Sequence, residues 1–163
     1  MSGIIGISPN SKSGVLGGHN VGDVVQVVPV HTAANITINN TSTYVSVISA
    51  TITPKYSTSK IWFSAGTRMR HANSSGHQWS VWRIERRTTA QSLGDGVDLD
   101  VESYTGASGG LPSGGIIIGH WFGFYDAPAT TEGRIYDLSF HNNYSGEHEA
   151  QGPQSMILME VKQ

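Results

Sequence analysis

Apolar and polar residues alternate in several short segments of the chain, which is the pattern of β-strands. Residues 60–70 show it most clearly, because Ile61 and Phe63 fall on one face while Trp62 and Arg68 fall on the other. The same pattern predicts strands at residues 24–30, 43–53, 77–88, 97–101, 116–125, 134–141 and 154–162. Seven or eight short strands joined by glycine-rich turns indicate an all-β fold, an antiparallel, jelly-roll-like β-sandwich.

Three of the segments carry a more specific signal. Residues 43–53 change phase between Val47 and Ile48, which predicts a bulge or a bend. Residues 77–88 could also form a short helix, but their aromatic and β-branched content favours a strand. Residues 116–125 are apolar on both faces, so we expect a strand that is covered on both sides.

The first 22 residues differ from the rest of the chain. They are rich in glycine and hold two small apolar clusters, which are Ile4, Ile5 and Ile7 in the first and Val15 and Leu16 in the second. Glycine-rich backbone loses much entropy on ordering. We therefore expect an extended N-terminal arm over residues 1–22, which either frays or docks onto another subunit, and a β-sandwich domain over residues 23–163.

The composition removes several classes of function. The 163 residues include 20 Gly and no Cys, which excludes disulfides, thiolate zinc sites and cysteine nucleophiles. A net charge of −2 with ten basic residues cannot neutralise a run of phosphates, so we expect no nucleic-acid partner. We also expect no membrane insertion, because no run approaches the roughly 20 apolar residues of a membrane helix. The first residues lack the features of a signal peptide, which favours assembly in a cytoplasm.

Catalytic and metal-binding motifs fail on context. Residues 106–110 match the G-x-S-x-G nucleophile motif, but that motif needs a preceding strand and a following helix, and no alternation of strands and helices occurs here. His141 and His148 lie near Glu147 and Glu149 without a zinc-binding spacing. We therefore predict no enzyme, no catalytic residue, no cofactor and no metal, although histidines could tune an interface with pH.

An acidic cluster lies between Asp95 and Glu102. In an extended segment Asp98, Asp100 and Glu102 would share a face, where like charges repel unless a cation or an arginine lies among them. Calcium is one explanation. A solvated face that is partly neutralised by arginine is the favoured one, and the candidate arginines are Arg83, Arg86 and Arg87.

Large aromatic side chains suggest two kinds of contact. Trp62, Trp121 and Tyr125 exceed what one sandwich core absorbs, so we predict that they contact another subunit or the particle, together with the apolar clusters of the arm. Aromatic rings beside amides can also grip a sugar. The candidate glycan contacts are Asn73, Trp79, Asn142 and Tyr144.

Short motifs along most of the chain, except residues 72–115, resemble small virion-associated proteins of tailed phages, especially marine ones. The segments that carry the resemblance are Met1-Ser-Gly-Ile-Ile-Gly6, Ser13-Gly-Val-Leu-Gly17, Val24-Val-Gln-Val-Val28, Tyr44-Val-Ser-Val47, Thr51-Ile-Thr-Pro-Lys55, Ser59-Lys-Ile61, Asp126-Ala-Pro-Ala-Thr-Thr131 and Ser155-Met-Ile-Leu-Met-Glu-Val161.

The resemblance implies a non-enzymatic structural protein of a bacteriophage virion, a homotrimer that contacts other virion proteins. Two roles fit this class: a tail fibre or receptor-binding module that touches a host surface glycan, which we favour, and a capsid decoration protein. A carbohydrate-binding β-sandwich is the alternative from another class. The motifs separate none of these three.

Overall fold

The computed structural model describes residues 21–38, 43–71, 78–107, 116–142 and 148–163. These ranges hold the nine strands β1 Val24–Thr32, β2 Ile36–Ile38, β3 Val45–Ile52, β4 Lys60–His71, β5 Gln78–Thr88, β6 Val97–Ala107, β7 Ile116–Asp126, β8 Arg134–Asn142 and β9 His148–Val161. Within them no helix has the length and hydrophobicity needed to cross a membrane. Residues 1–20, with the predicted contacts Ile4, Ile5, Ile7, Val15 and Leu16, lie outside the described part.

The strands form one long antiparallel hairpin that is folded over on itself. Four pairings nest inside one another, namely β1 with β9, β3 with β8, β4 with β7 and β5 with β6. Two more pairings, β4 with β9 and β5 with β8, fold the hairpin into two sheets with the orders β1-β9-β4-β7 and β3-β8-β5-β6. This is the jelly-roll arrangement of a β-sandwich, and it confirms the predicted fold class.

The core lies between the two sheets and follows from the alternation along each strand. Phe63 on β4 and Trp82 on β5 are among the large side chains that are almost completely buried there, as is Phe140 on β8. The rings of Trp82 and Phe140 lie 5.1 Å apart between their centroids. Each of these residues alternates with neighbours that point away from the core, so the period of two builds the sandwich.

Polar contacts join the two sheets near the start of β8. Asp126, the last residue of β7, accepts hydrogen bonds of 2.7 Å from Arg86 on β5 and of 2.6 Å from Tyr136 on β8. Burial and the hydrogen bond to Asp126 raise the pKa of the Tyr136 phenol. The phenol therefore stays a neutral donor to the carboxylate.

Several predicted elements are confirmed. The register of β3 against β8 shifts between Ser46 and Ile48, which is the bulge that the change of phase predicted. Residues 78–88 form a strand and not a helix. Gly22, next to the predicted boundary between arm and domain, donates a hydrogen bond of 2.7 Å to the carbonyl of Lys162. The boundary itself stays a prediction.

Other strand boundaries were wrong. β6 runs from Val97 to Ala107, well beyond the predicted 97–101. The extra residues pair with the backbone of β5, and their own sequence gives no clear sign of a strand. β9 begins at His148 and not at residue 154. The register of β9 against β4 shifts at Gly152 and Pro153. These two residue types indicate a turn in the sequence, but here they lie within the strand. β2 was missed because it has only three residues.

Candidate interaction surface

The outward side of the β1-β9-β4-β7 sheet, called the outer face below, is apolar and open to solvent. Trp121 and Tyr125 on β7 are 67% and 62% exposed, respectively. The other large apolar side chains exposed on this face are Ile117 on β7, Val24 and Val27 on β1 and Ile157 on β9. Exposed apolar side chains on three strands of one four-strand path, with Trp62 on the fourth, make this a contiguous patch, not scattered surface residues.

The position of β7 explains the patch. Its alternation turns Phe122 and Phe124 towards the core and turns Trp121 and Tyr125 outward. Residues 116–125 were predicted to be covered on both sides. Within the described residues of a single copy, the inner side of β7 is covered by the core and its outer side is exposed. The prediction is therefore confirmed for the inner side alone.

Two glycines in the sheet, which have no side chain, leave room for aromatic rings to lie against the backbone. Gly66 on β4 lies directly opposite Trp121, and a Cβ atom at Gly66 would lie 2.5 Å from the indole ring. Trp62 lies opposite Tyr125, with 4.7 Å between the ring centroids, and its far edge lies over Gly123. The rings therefore lie against the sheet with their outward faces free to pack against a flat partner.

A shallow depression of about 320 Å³ lies beside Trp121. Its lining includes Gly66, Arg68, Gly119, His120, Trp121 and Ser155. The Arg68 guanidinium donates a hydrogen bond to the carbonyl of Gly152, which holds its charge at the edge of the depression. The depression makes the patch uneven beside Trp121 and brings polar groups to its edge.

The outward side of the β3-β8-β5-β6 sheet has the opposite character. Arg83 lies 2.9 Å from Glu85, and Arg87 lies 3.5 Å from Asp137. Glu85 also accepts hydrogen bonds from the backbone of Gly94 and Gly96. Arginines and backbone amides thus pair both carboxylates, which favours ion pairing over acid–base chemistry.

Burial raises the pKa of Asp137 to about 6, while the hydrogen bond from Ser46 and the nearby Arg87 act in the opposite direction. Glu85 lies directly opposite Asp137 in the register and raises this pKa further. The two carboxylates therefore stabilise the sheet less than their close pairing with arginines suggests.

Polar side chains, including three histidines, occupy one end of the core. The ring centroids of His71 and His148 lie 4.8 Å apart, and Nδ1 of His148 lies 2.7 Å from Oγ of Ser80. Burial, with His120 as the second cause, lowers the pKa of His71 to about 4. Burial, with His71 as the second cause, lowers the pKa of His148 to about 4. Burial also lowers the pKa of His120.

The structure brings Trp62, Trp121 and Tyr125 together on the outer face, as three neighbours on two paired strands. Sequence reasoning did not single out Ile117, which the alternation along β7 already placed beside them, or Ile157. The glycine positions under the rings could not be found, because they depend on the register between β4 and β7.

The predicted glycan contacts are placed less favourably for that role. Asn142 is buried and its amide donates a 2.9 Å hydrogen bond to the carbonyl of Ile38, so a role as a surface contact is corrected to one within the chain. Trp79 is half-buried on β5 and stays a prediction. Asn73 and Tyr144 lie outside the described residues.

The acidic segment is partly neutralised by arginine, as predicted. Nε of Arg83 lies 3.6 Å from Asp98, whereas Arg86 pairs with Asp126 and Arg87 pairs with Asp137. The side chains of residues 100–102 lie outside the described part. Among the described side chains, one of the three predicted arginines therefore contacts the segment.

No protein-family model matches the chain, and no curated protein sequence matches it. Among solved structures, it is similar to a chain of infectious bursal disease virus strain Gx, with a TM-score of 0.51 and 13% identity over 82% of this chain and 31% of that chain. It is also similar to the VP2 subviral particle of the same virus, with a TM-score of 0.48 and 13% identity over 82% of this chain and 32% of that chain.

The chain thus spans about a third of the length of the solved chains that it matches. At this level of identity the similarity shows a shared fold and no more.

Proposed function

We propose that this chain is a non-enzymatic structural protein of a virus particle, in which copies of a jelly-roll module pack together. The observation that carries the proposal is the apolar outer face, on which Trp121 and Tyr125 stay exposed although the core behind them is complete. Exposed apolar surface of this extent marks contact with another protein.

Two further observations support this role. The fold is shared with a chain in the structure of a virus. Independently of that similarity, short motifs along the sequence resemble virion-associated proteins of tailed phages.

Within this class we propose, from the resemblance, a tail-fibre or receptor-binding module attached through residues 1–22. A capsid decoration protein is the alternative. The two roles place the chain at different sites in the particle, at the tail or on the capsid shell.

The carbohydrate-binding alternative is less well supported by the outer face. Arg68, His120 and Ser155 place hydrogen-bonding groups beside Trp121, as a sugar site needs. The exposed apolar side chains on the same face are more numerous and include the aliphatic Ile117, Val27 and Ile157. Aliphatic and aromatic side chains together are typical of contacts between protein subunits.

Particles purified by density gradient from an infected culture test the proposal. We expect mass spectrometry to find this chain in intact particles in many copies, and immunogold electron microscopy to label either the tail or the shell. The label separates the fibre role from the decoration role. If the chain occurs in the infected cells but is absent from washed, intact particles, the proposed function is wrong.

A further inference from the structure

We propose that the outer face packs against the same face of a second copy of this chain, related to the first by a two-fold axis. The inference rests on the proposed function, because it names the partner of the same surface. It follows from the number of apolar patches, their area and their charge.

The described residues offer one large apolar patch. Six of their nine large exposed hydrophobic residues lie on the outer face, and the other three are Val21, Val45 and Val97. Val45 and Val97 belong to strands of the other sheet. A chain with one patch covers it most simply by pairing it with itself, and such an isologous contact requires two-fold symmetry. A trimer built through this face would need a second, different patch, which these residues do not show.

The area of the patch suits such a contact. Four strands spaced about 4.8 Å apart give a width of about 19 Å, and the eight steps from Ile117 to Tyr125 give a length of about 26 Å. Each copy therefore presents about 500 Å², and two facing copies bury about 1,000 Å² in total. That total reaches the size at which specific interfaces between proteins begin.

Most charges lie at the ends of the patch, and one, that of Arg68, lies inside it, opposite Gly119 on β7. Lys60 lies at one end of β4, and the ion pair between Arg70 and Glu149 lies at the other, with 3.5 Å between the charged atoms. Between them the outward residues of β4 are Trp62, Ser64, Gly66 and Arg68, of which Arg68 is bonded to Gly152. A patch that is mostly apolar, with its one internal charge bonded to a backbone carbonyl, matches a second apolar patch better than a highly charged partner.

The 163 residues of the chain include no cysteine, so a single introduced cysteine gives a direct test. Ile157 lies near the middle of the patch on β9, and Val97 lies outside the patch on β6. We expect Ile157→Cys to form a disulfide-linked dimer under mild oxidation, because a residue near a two-fold axis meets its own copy. The matched variant Val97→Cys should stay unlinked.

A second measurement follows the association itself by analytical ultracentrifugation. We expect the unmodified chain to dimerise, and Trp121→Asp to raise the dissociation constant at least about 30-fold, the effect of losing an interface hot spot. Val97→Asp, which adds the same charge to an exposed valine, should leave the constant unchanged. Circular dichroism checks that each variant is folded.

Three results would overturn the inference: a chain that stays monomeric at millimolar concentration, a trimer in which the Ile157→Cys variant does not cross-link, and a dimer that Trp121→Asp does not weaken. None of them removes the virion role, which depends on the presence of the chain in particles, although a monomer would show that copies do not pack through the outer face. Conversely, a dimer with the expected cross-link in a protein that never enters particles would leave this interface intact and remove the virion role.

Discussion

At the scale of single residues, the buried histidines and Asp137 have opposite effects on the pH dependence of stability. The pKa of His71 and of His148 falls from 6.5 to about 4 on folding. The unfolded chain therefore binds these protons more readily, and the folded state loses stability as the pH drops from 6.5 to about 4. The pKa of Asp137 rises from 3.8 to about 6 on folding, so protonation of this residue favours the fold as the pH drops below 6. Two histidines against one aspartate leave a net loss of stability on acidification.

As the pH drops from 6 to 4 we therefore expect the free energy of unfolding to fall by at least about 1.4 kcal/mol per pH unit, because the lowered pKa of His120 adds to the net effect of His71, His148 and Asp137. His71→Leu should reduce this slope by the contribution of about one proton, because the variant removes a group that must stay neutral in the folded state. Neither ring nitrogen of His71 hydrogen-bonds to a described residue, so the variant breaks no hydrogen bond among them. Urea unfolding at a series of pH values measures the slope. His31→Gln, at an exposed position on β1, is the control, and an unchanged slope in His71→Leu would contradict the expectation.

A buried carboxylate on β9 anchors the connection between β3 and β4. Oε1 of Glu160 accepts backbone hydrogen bonds of 2.8 Å from Lys55 and 3.2 Å from Tyr56, and Oε2 accepts one of 2.6 Å from the Gln26 amide. In Glu160→Gln the new amide group faces a donor, so we expect a loss of about 2 kcal/mol in the free energy of unfolding. Glu132→Gln, at a side chain that is 78% exposed, should change it by less than about 0.5 kcal/mol.

At the scale of elements, β4 and β7 together determine the shape of the outer face. The side chain added by Gly66→Ala would displace the Trp121 ring, which is an exposed side chain that can move outward at little cost in stability. We expect this variant to weaken association about tenfold and to change near-ultraviolet circular dichroism, with a small change in the free energy of unfolding. Gly119→Ala is the matched control, because a Cβ atom there meets nothing within 4 Å. Equal association of both variants would show that the ring position is unimportant.

The same pair of strands shows where sequence reasoning stops. The alternation along β7 predicts that Trp121 and Tyr125 share a face, because neighbours two and four apart in a strand point the same way. It cannot predict that Trp121 lies over Gly66, since that contact depends on the register between two strands far apart in the sequence. Register follows from the whole set of pairings and not from one strand.

At the scale of the whole molecule, the two outward sides of the sandwich have different roles in solution. One side carries ion pairs such as that of Arg83 with Glu85, and the other is mostly apolar. Because screening by salt acts on charges, we expect the dissociation constant of the dimer to change less than about threefold between about 0.1 and 0.5 M sodium chloride. Sedimentation at the two salt concentrations measures it. A strong weakening by salt would indicate that charged borders carry the contact.

The sequence by itself determined the all-β class, the strands around Phe63, Trp82 and Phe140, the bulge near Val47 and the surplus of outward aromatic residues, because a period of two is a local property of the chain. Only the tertiary structure decided the nesting of the strands, the length of β6 and β9, the burial of Asn142 and the gathering of six apolar residues on one face. Those features depend on hydrogen bonds and packing between segments far apart in the sequence, and the energy of such contacts is not written in any single segment.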